Sequence, residues 1–181
     1  MANITKKRIL QTFTEMLETT PFDRITVTAL TKTCEISHNT FYYHYHDIYE
    51  LLDAWLEEKL GGPFSLAEQA GGEAALRAFL NKCKEHKRIV YHIFDSLSRD
   101  QLERYTFARS DWFILPYIRQ HTKGKELSGE RLKTLSAFCR YSFLGFFLEF
   151  LWNDMEDDAG ELAAVIYGTL SNFVLYEMER P

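Results

Sequence analysis

The chain has 181 residues, 46% of them hydrophobic and 26% charged, enough for one sizeable core or a small module joined to a larger one. A formal net charge of −5 argues against indiscriminate nucleic-acid binding. No run approaches the roughly 18 apolar residues of a membrane span, and the N-terminus lacks the apolar stretch of a signal peptide, so a cytoplasmic chain without a membrane partner is expected.

Ile4 to Glu18 places Ile9, Leu10, Phe13, Met16 and Leu17 on one helical face. Pro21 ends this helix, and Phe22 and Ile25 in the connector should dock on it. Thr26 is an N-cap candidate for a short helix over 27–33, with Val27, Leu30 and Cys34 inward. Glu35-Ile36 makes a turn, and Ser37 caps a second short helix. There Phe41 and Tyr45, four apart, share a buried face and leave His38, Asn39, Tyr42, Tyr43 and His44 outside. Asp47 caps a fourth helix, Ile48 to Leu60, closed by Gly61-Gly62-Pro63.

Beyond that boundary every segment reads as helix: Glu73 to His86, Arg88 to Leu97, Arg99 to His121 with a kink at Pro116, Ser128 to about Asn153, and Glu161 to Glu179. Lys123-Gly124-Lys125 is a loop and Asp154 to Asp158 an acidic linker. With no alternation of strand type and no repeat, the fold class is all-α. Cys34, Cys83 and Cys139 are odd in number and form no Cys-x-x-Cys pair, so buried thiols are expected, with neither disulfide nor metal. His44 and His46, two apart, would point to different helix faces and make a poor metal pair. Enzyme motifs such as Gly-x-Ser-x-Gly and His-Glu-x-x-His are absent, so no catalytic residue and no cofactor is expected.

Two short helices joined by a tight turn, with a third behind them, form a helix-turn-helix, a geometry that lays the second helix in a DNA major groove. Such pairs are also common as plain packing units, so the surface chemistry matters. Asn39 can bond an adenine edge and His38 can donate or accept at a base. Thr26, Thr28, Thr40, Tyr42, Tyr43 and His44 can bond phosphate without adding charge. Residues 1–46 carry five Lys/Arg against four Asp/Glu, residues 47–60 one against five, and residues 61–181 fifteen against seventeen. The N-terminal stretch is thus the least acidic, a weak footprint that leaves phosphate contact to neutral donors.

The run from Thr26 to Asp47, and above all Thr40-Phe41-Tyr42-Tyr43-His44-Tyr45, resembles the signature of the tetracycline-repressor (TetR) family. The resemblance covers residues 4–60 well and extends beyond them only as an all-helical part of suitable length. It implies an N-terminal DNA-binding domain, residues 1–60, and a larger helical domain, residues 61–181, for effector binding and dimerisation. By similarity Thr40, Tyr42 and His44 would touch phosphates, and His38, Asn39 and Tyr43 would face bases. The partner implied is double-stranded DNA bearing a palindromic operator, bound by a homodimer, with repression the first reading. Two positions depart from the pattern. Glu35 stands where the family usually has Gly, so it is expected to adopt a left-handed backbone at about 1 kcal/mol. Asp47-Ile48-Tyr49-Glu50 replaces an early lysine in the fourth helix. That variant resembles the branch related to the dihydroxyacetone-kinase regulator, in which a protein co-regulator can replace a small inducer and activation stays open beside repression.

In the larger part, Tyr91, His92, Phe94, Tyr105, Trp112, Phe113, Phe138 and Tyr141 form an aromatic set with Arg109 and Arg140. Tyr91, His92, Tyr105, Arg109, Trp112, Phe138 and Tyr141 are candidate effector ligands; the plainer alternative is a filled aromatic core. The helix before Asn153 is apolar almost all round from Phe143, and such a helix must be covered on every side. A homodimer through the last two helices supplies the cover, with Phe146, Phe150, Ala163, Ile166, Tyr167, Leu170, Phe173 and Val174 as its candidate residues. The competing reading is a helical dimeric ligand-binding or scaffold protein whose helix-turn-helix no longer binds DNA.

Overall fold

The computed structural model describes residues 2–62, 71–105, 114, 118 and 128–179, and the regular elements among them are all helical. In chain order these are α1 (Ala2–Leu17), a 3-10 turn (Phe22–Arg24), α2 (Val27–Cys34), α3 (His38–His44), α4 (Ile48–Leu56), α5 (Gly72–Glu85), α6 (Lys87–Phe94), α7 (Gly129–Trp152) and α8 (Ala159–Glu179). Residues 99–105 are also helical. Arg109, Trp112, Phe113, the expected kink at Pro116 and the loop at Lys123–Lys125 lie outside the described residues.

Contacts divide the chain into two compact units, one of Met1–Gly62 with Glu85–Ser98 and one of Pro63–Lys84 with Arg99–Pro181. Residues 85–98, which sequence alone assigns to the larger part, pack with the first unit.

In that unit Ile9, Leu10, Phe13 and Leu17 are buried as the α1 stripe demands, and α1 packs against α2, α4 and α6. Phe22 sets its ring edge-on to Phe13, centroids 6.3 Å apart, and to Tyr49 at 5.3 Å, so the 3-10 turn anchors on the bundle. Trp55 is fully buried, and its indole N–H donates to the Thr14 hydroxyl at 3.0 Å. A buried indole left without that acceptor would cost stability. Ile89, Val90 and Ile93 close the core from α6. The expected α-helix Ile48–Leu60 stops at Leu56 and widens into a π turn, Glu57–Gly61. Apolar spacing cannot signal this, because Leu60 lies on the buried side of the helix either way.

In the second unit α5 buries Ala75, Leu76, Phe79, Leu80 and Cys83. Phe79 meets Phe143 and Phe147 of α7 at ring distances of 6.0 and 5.6 Å. Ser128 caps α7, accepting from the Arg131 amide at 3.3 Å. At its other end Asp154 and Met155 both take left-handed backbone, φ 54° and 56°. The Met155 amide returns to the Phe150 carbonyl at 2.8 Å and the buried Met155 side chain holds the reversal. Asp158 then caps α8 through the Gly160 and Glu161 amides, at 2.8 and 2.9 Å. The start of α5 approaches α8 so closely that a Cβ on Gly72 would lie 2.6 Å from the Tyr167 ring.

Candidate nucleic-acid interface

The Thr26 hydroxyl accepts from the Ala29 amide at 3.1 Å and starts α2, whose inner side buries Leu30, Thr31 and Cys34. The helix ends at Glu35, φ 54° and ψ 44°, the left-handed conformation expected at this turn. Two closing bonds satisfy the last carbonyls: the Glu35 amide donates to Lys32 at 3.2 Å and the Ile36 amide to Thr31 at 3.0 Å. The Glu35 carboxylate meets the Arg8 guanidinium at 3.2 Å, but both side chains are more than half exposed, so the pair adds little.

Ser37 opens α3, its hydroxyl accepting from the Thr40 amide at 3.0 Å and lying 2.9 Å from the Thr40 hydroxyl. Phe41 is fully buried. Tyr45, expected on the same helical face, lies one residue past the helix in extended backbone (φ −142°) and is still buried. The Lys6 ammonium sits 5.6 Å from its ring centroid. Burial first, then the charges of Glu58 and Glu50, push the Tyr45 phenol up to about 12, and its hydroxyl has no hydrogen-bond partner.

With Phe41 and Tyr45 inward, α3 turns His38, Asn39, Tyr42 and Tyr43 to solvent; Tyr43 is 78% exposed. Thr40 and His44 are half-buried. The Tyr43 ring stands edge-on to His44 at 5.0 Å, which limits how freely either side chain swings. Thr28 and His38 are joined, hydroxyl to imidazole Nε2, at 3.2 Å. The two residues therefore act as a pair bridging the starts of α2 and α3.

Asp47 caps α4 by accepting from the Tyr49 and Glu50 amides, both at 2.8 Å. The Glu50 carboxylate turns back to the His46 amide. The Asp-x-x-Glu pattern has the capping-box spacing, which was legible in the sequence and passed over there, although Glu50 takes the amide one residue before the cap. The Glu50 amide, foremost, holds the Asp47 carboxyl below the usual carboxylate range against the opposing effect of burial, with smaller help from the His46 side chain and the Tyr49 amide. Between Lys32 and Lys59 the chain has no Lys or Arg, so this surface offers hydroxyl, amide and imidazole groups.

A family model described as a transcriptional regulator C-terminal region, TetR_C_8, matches residues 73–172, more than half of the chain. The chain is a TetR-family transcriptional regulator. Its fold is similar to that of a solved structure, the dihydroxyacetone kinase operon activator DhaS, with a TM-score of 0.67 and 17% identity over 94% of this chain and 96% of that one. No curated protein sequence matches the regulator. Among its described residues no helix is long and apolar enough to cross a membrane, and no group of three or more His, Cys, Asp or Glu could hold a metal.

Tyr91 and His92 belong to the first unit, and Tyr105, Phe138 and Tyr141 to the second. His92 Nδ1 lies 2.6 Å from the Leu17 carbonyl and is engaged there. Phe138 stacks on Phe173 with centroids 3.6 Å apart, and Tyr141 is exposed.

Of the candidate dimer residues, Phe150, Ala163, Ile166, Leu170 and Val174 are buried within the single chain. Tyr167 packs on Gly72, and Phe146 and Phe173 are half-buried. The reason is that α7 and α8 pack on each other and consume the more apolar stripe of each. The residues that stay open include Phe138, Tyr141, Gly145, Glu149 and Trp152 on α7, and Ala164, Val165, Thr169, Asn172, Leu175 and Tyr176 on α8.

Proposed function

We propose that this regulator binds double-stranded DNA as a homodimer and lays α3 in the major groove of a palindromic operator. One observation carries the reading. Phe41 and Tyr45 lock α3 down while His38, Asn39, Tyr42 and Tyr43 face outward, polar and planar, with His38 and Asn39 at the N-terminal end that helix-turn-helix proteins direct to bases. Asn39, Tyr43 and the His38 imidazole held by Thr28 would meet base edges. Thr26, Thr28, Thr40, Tyr42 and His44 would bond phosphate oxygens. Residues 1–60 would thus be the DNA-binding domain and residues 61–181 the domain of control and dimerisation.

The second copy would cover the open faces of α7 and α8, where Tyr141, Trp152, Val165, Leu175 and Tyr176 are exposed. Two-fold symmetry then places two α3 helices about one turn of DNA apart. Such a role places the chain in the cytoplasm. Repression by occupying the operator is the first reading of its sign. The similar fold of a protein described as an operon activator supports activation as the second. A small apolar or aromatic effector, or a protein co-regulator, would act by binding the DNA-competent and incompetent states unequally.

The test is a mobility-shift assay on fragments that the wild-type protein retains from sheared genomic DNA. Tyr43→Ala and Asn39→Ala should abolish the shift with helicity and oligomeric state unchanged, and wild-type binding should fall steeply with salt. Full affinity in both variants would remove the assignment of α3. Absence of wild-type binding at any salt would leave a helical ligand-binding or scaffold protein.

A further inference from the structure

Two threonines of α2 turn their hydroxyls back on the helix itself. Thr31 donates to the Thr28 carbonyl at 3.2 Å and Thr33 to the Ala29 carbonyl at 3.0 Å. Thr28 does otherwise. It is the second residue of α2, so the residues one turn back lie outside the helix. Its hydroxyl oxygen meets Nε2 of His38, the first residue of α3, at 3.2 Å, and both residues are exposed. A hydroxyl holds one proton and can also accept, while a neutral imidazole holds one ring proton. In the free protein this bond therefore closes in either direction. Its direction decides what the second ring nitrogen, Nδ1, can do. When the hydroxyl donates, Nδ1 carries the ring proton and is a donor. When Nε2–H donates, Nδ1 is bare and is an acceptor.

We propose that Thr28 is a positioning residue for His38, and that a DNA phosphate on the Thr28 hydroxyl selects which bases the imidazole can read. Phosphate oxygens only accept, so a hydroxyl bonded to one has its proton in that bond. The hydroxyl oxygen then holds His38 through Nε2–H, and Nδ1 is left as an acceptor. In the major groove an acceptor is met by the amino groups of adenine and cytosine, and not by N7 and O6 of guanine or O4 of thymine. A contact that carries no sequence information thereby sets the proton arrangement of one that does. The inference rests on the reading of α3 as the DNA-binding helix, with Thr28 on phosphate and His38 on a base.

The preference is read by selecting duplexes from a random-sequence pool at about pH 8, above the ordinary imidazole range. The wild type should show one position, made indifferent by His38→Ala, where adenine or cytosine on one strand is preferred. The preference there should be roughly fivefold, the scale of one neutral hydrogen bond. Thr28→Val keeps the side-chain shape without the hydroxyl. It should bind every sequence more weakly and lose the preference at that position alone, and Thr28→Ser should restore it. Imidazole nitrogen NMR shifts of the wild type on the selected duplex read the tautomer directly, with the proton expected on Nε2. Should Thr28→Val bind no duplex at all, that measurement decides. Guanine or thymine at the His38-dependent position, no such position, a proton on Nδ1, or an unchanged preference in Thr28→Val overturns the inference but not the DNA reading. Failure of the wild type to bind any duplex at any salt overturns both. Circular dichroism of the variants excludes unfolding as the cause.

Discussion

His92 Nδ1 lies 2.6 Å from the carbonyl oxygen of Leu17, the last residue of α1, 75 positions earlier in the chain. A carbonyl can only accept, so Nδ1 must carry the proton. The bond satisfies one of the carbonyls that a helix end leaves without a partner. Nearby the Ser96 hydroxyl lies 2.7 Å from the His92 carbonyl and 3.2 Å from an Asp23 carboxylate oxygen, so α6 is fastened to the first unit by polar bonds as well as by Ile89 and Ile93. Replacing His92 by Phe keeps a ring but strands the Leu17 carbonyl. The expected loss is about 1–2 kcal/mol, read as a lower midpoint in urea unfolding with an unchanged slope.

Glu35 holds a left-handed backbone that L-residues adopt at a cost. Glu35→Gly should raise stability by about 1 kcal/mol, since the lost ion pair to Arg8 is exposed and worth little. A drop in melting temperature would instead show that the Arg8 pair outweighs the strain.

Tyr45 buries a hydroxyl that has no partner. Tyr45→Phe removes an unsatisfied polar atom while keeping the ring under Lys6. The variant should be as stable as the wild type or more so by about 1 kcal/mol. Calorimetry decides, and a clear loss would mean that the hydroxyl is paired in solution.

The Asp47 cap predicts a pH dependence of known sign. Its carboxyl is held below the ordinary carboxylate range in the folded chain. The stabilisation is therefore fully present above the unfolded value, about 3.9, and disappears as pH falls through the lower folded value. Asp47→Ala should cost about 1 kcal/mol at neutral pH. The gap between wild type and variant should close below about pH 4 in denaturant titrations, and a gap that stays constant there would contradict the cap's charge dependence.

The open faces of α7 and α8 predict which substitutions separate two subunits. Tyr141→Asp and Val165→Asp alter exposed positions, so each should yield a folded monomer by light scattering after size-exclusion chromatography. Ile166→Asp alters a residue already inside the core and should unfold the second unit. A dimer that survives both exposed changes would move the interface elsewhere.

Much of this protein was legible locally. The α1 stripe of Ile9, Leu10, Phe13 and Leu17, the caps at Thr26, Ser37, Asp47 and Ser128, and the left-handed turn at Glu35 all follow from interactions within about four residues. Their physics is written in adjacent side chains, which is why the all-α class and the outward face of α3 could be read directly.

The tertiary structure decided what depends on partners distant in sequence. It returned residues 85–98 to the first unit and assigned His92 to the end of α1. It paired Thr28 with His38, and it turned Ile166, Leu170 and Val174 into the chain's own core. Apolar spacing states that a helix face will be buried but not against what, because burial is rewarded equally by any apolar neighbour. A hydrogen bond such as His92 to Leu17 likewise depends on where the chain brings a carbonyl, and no local pattern records that position.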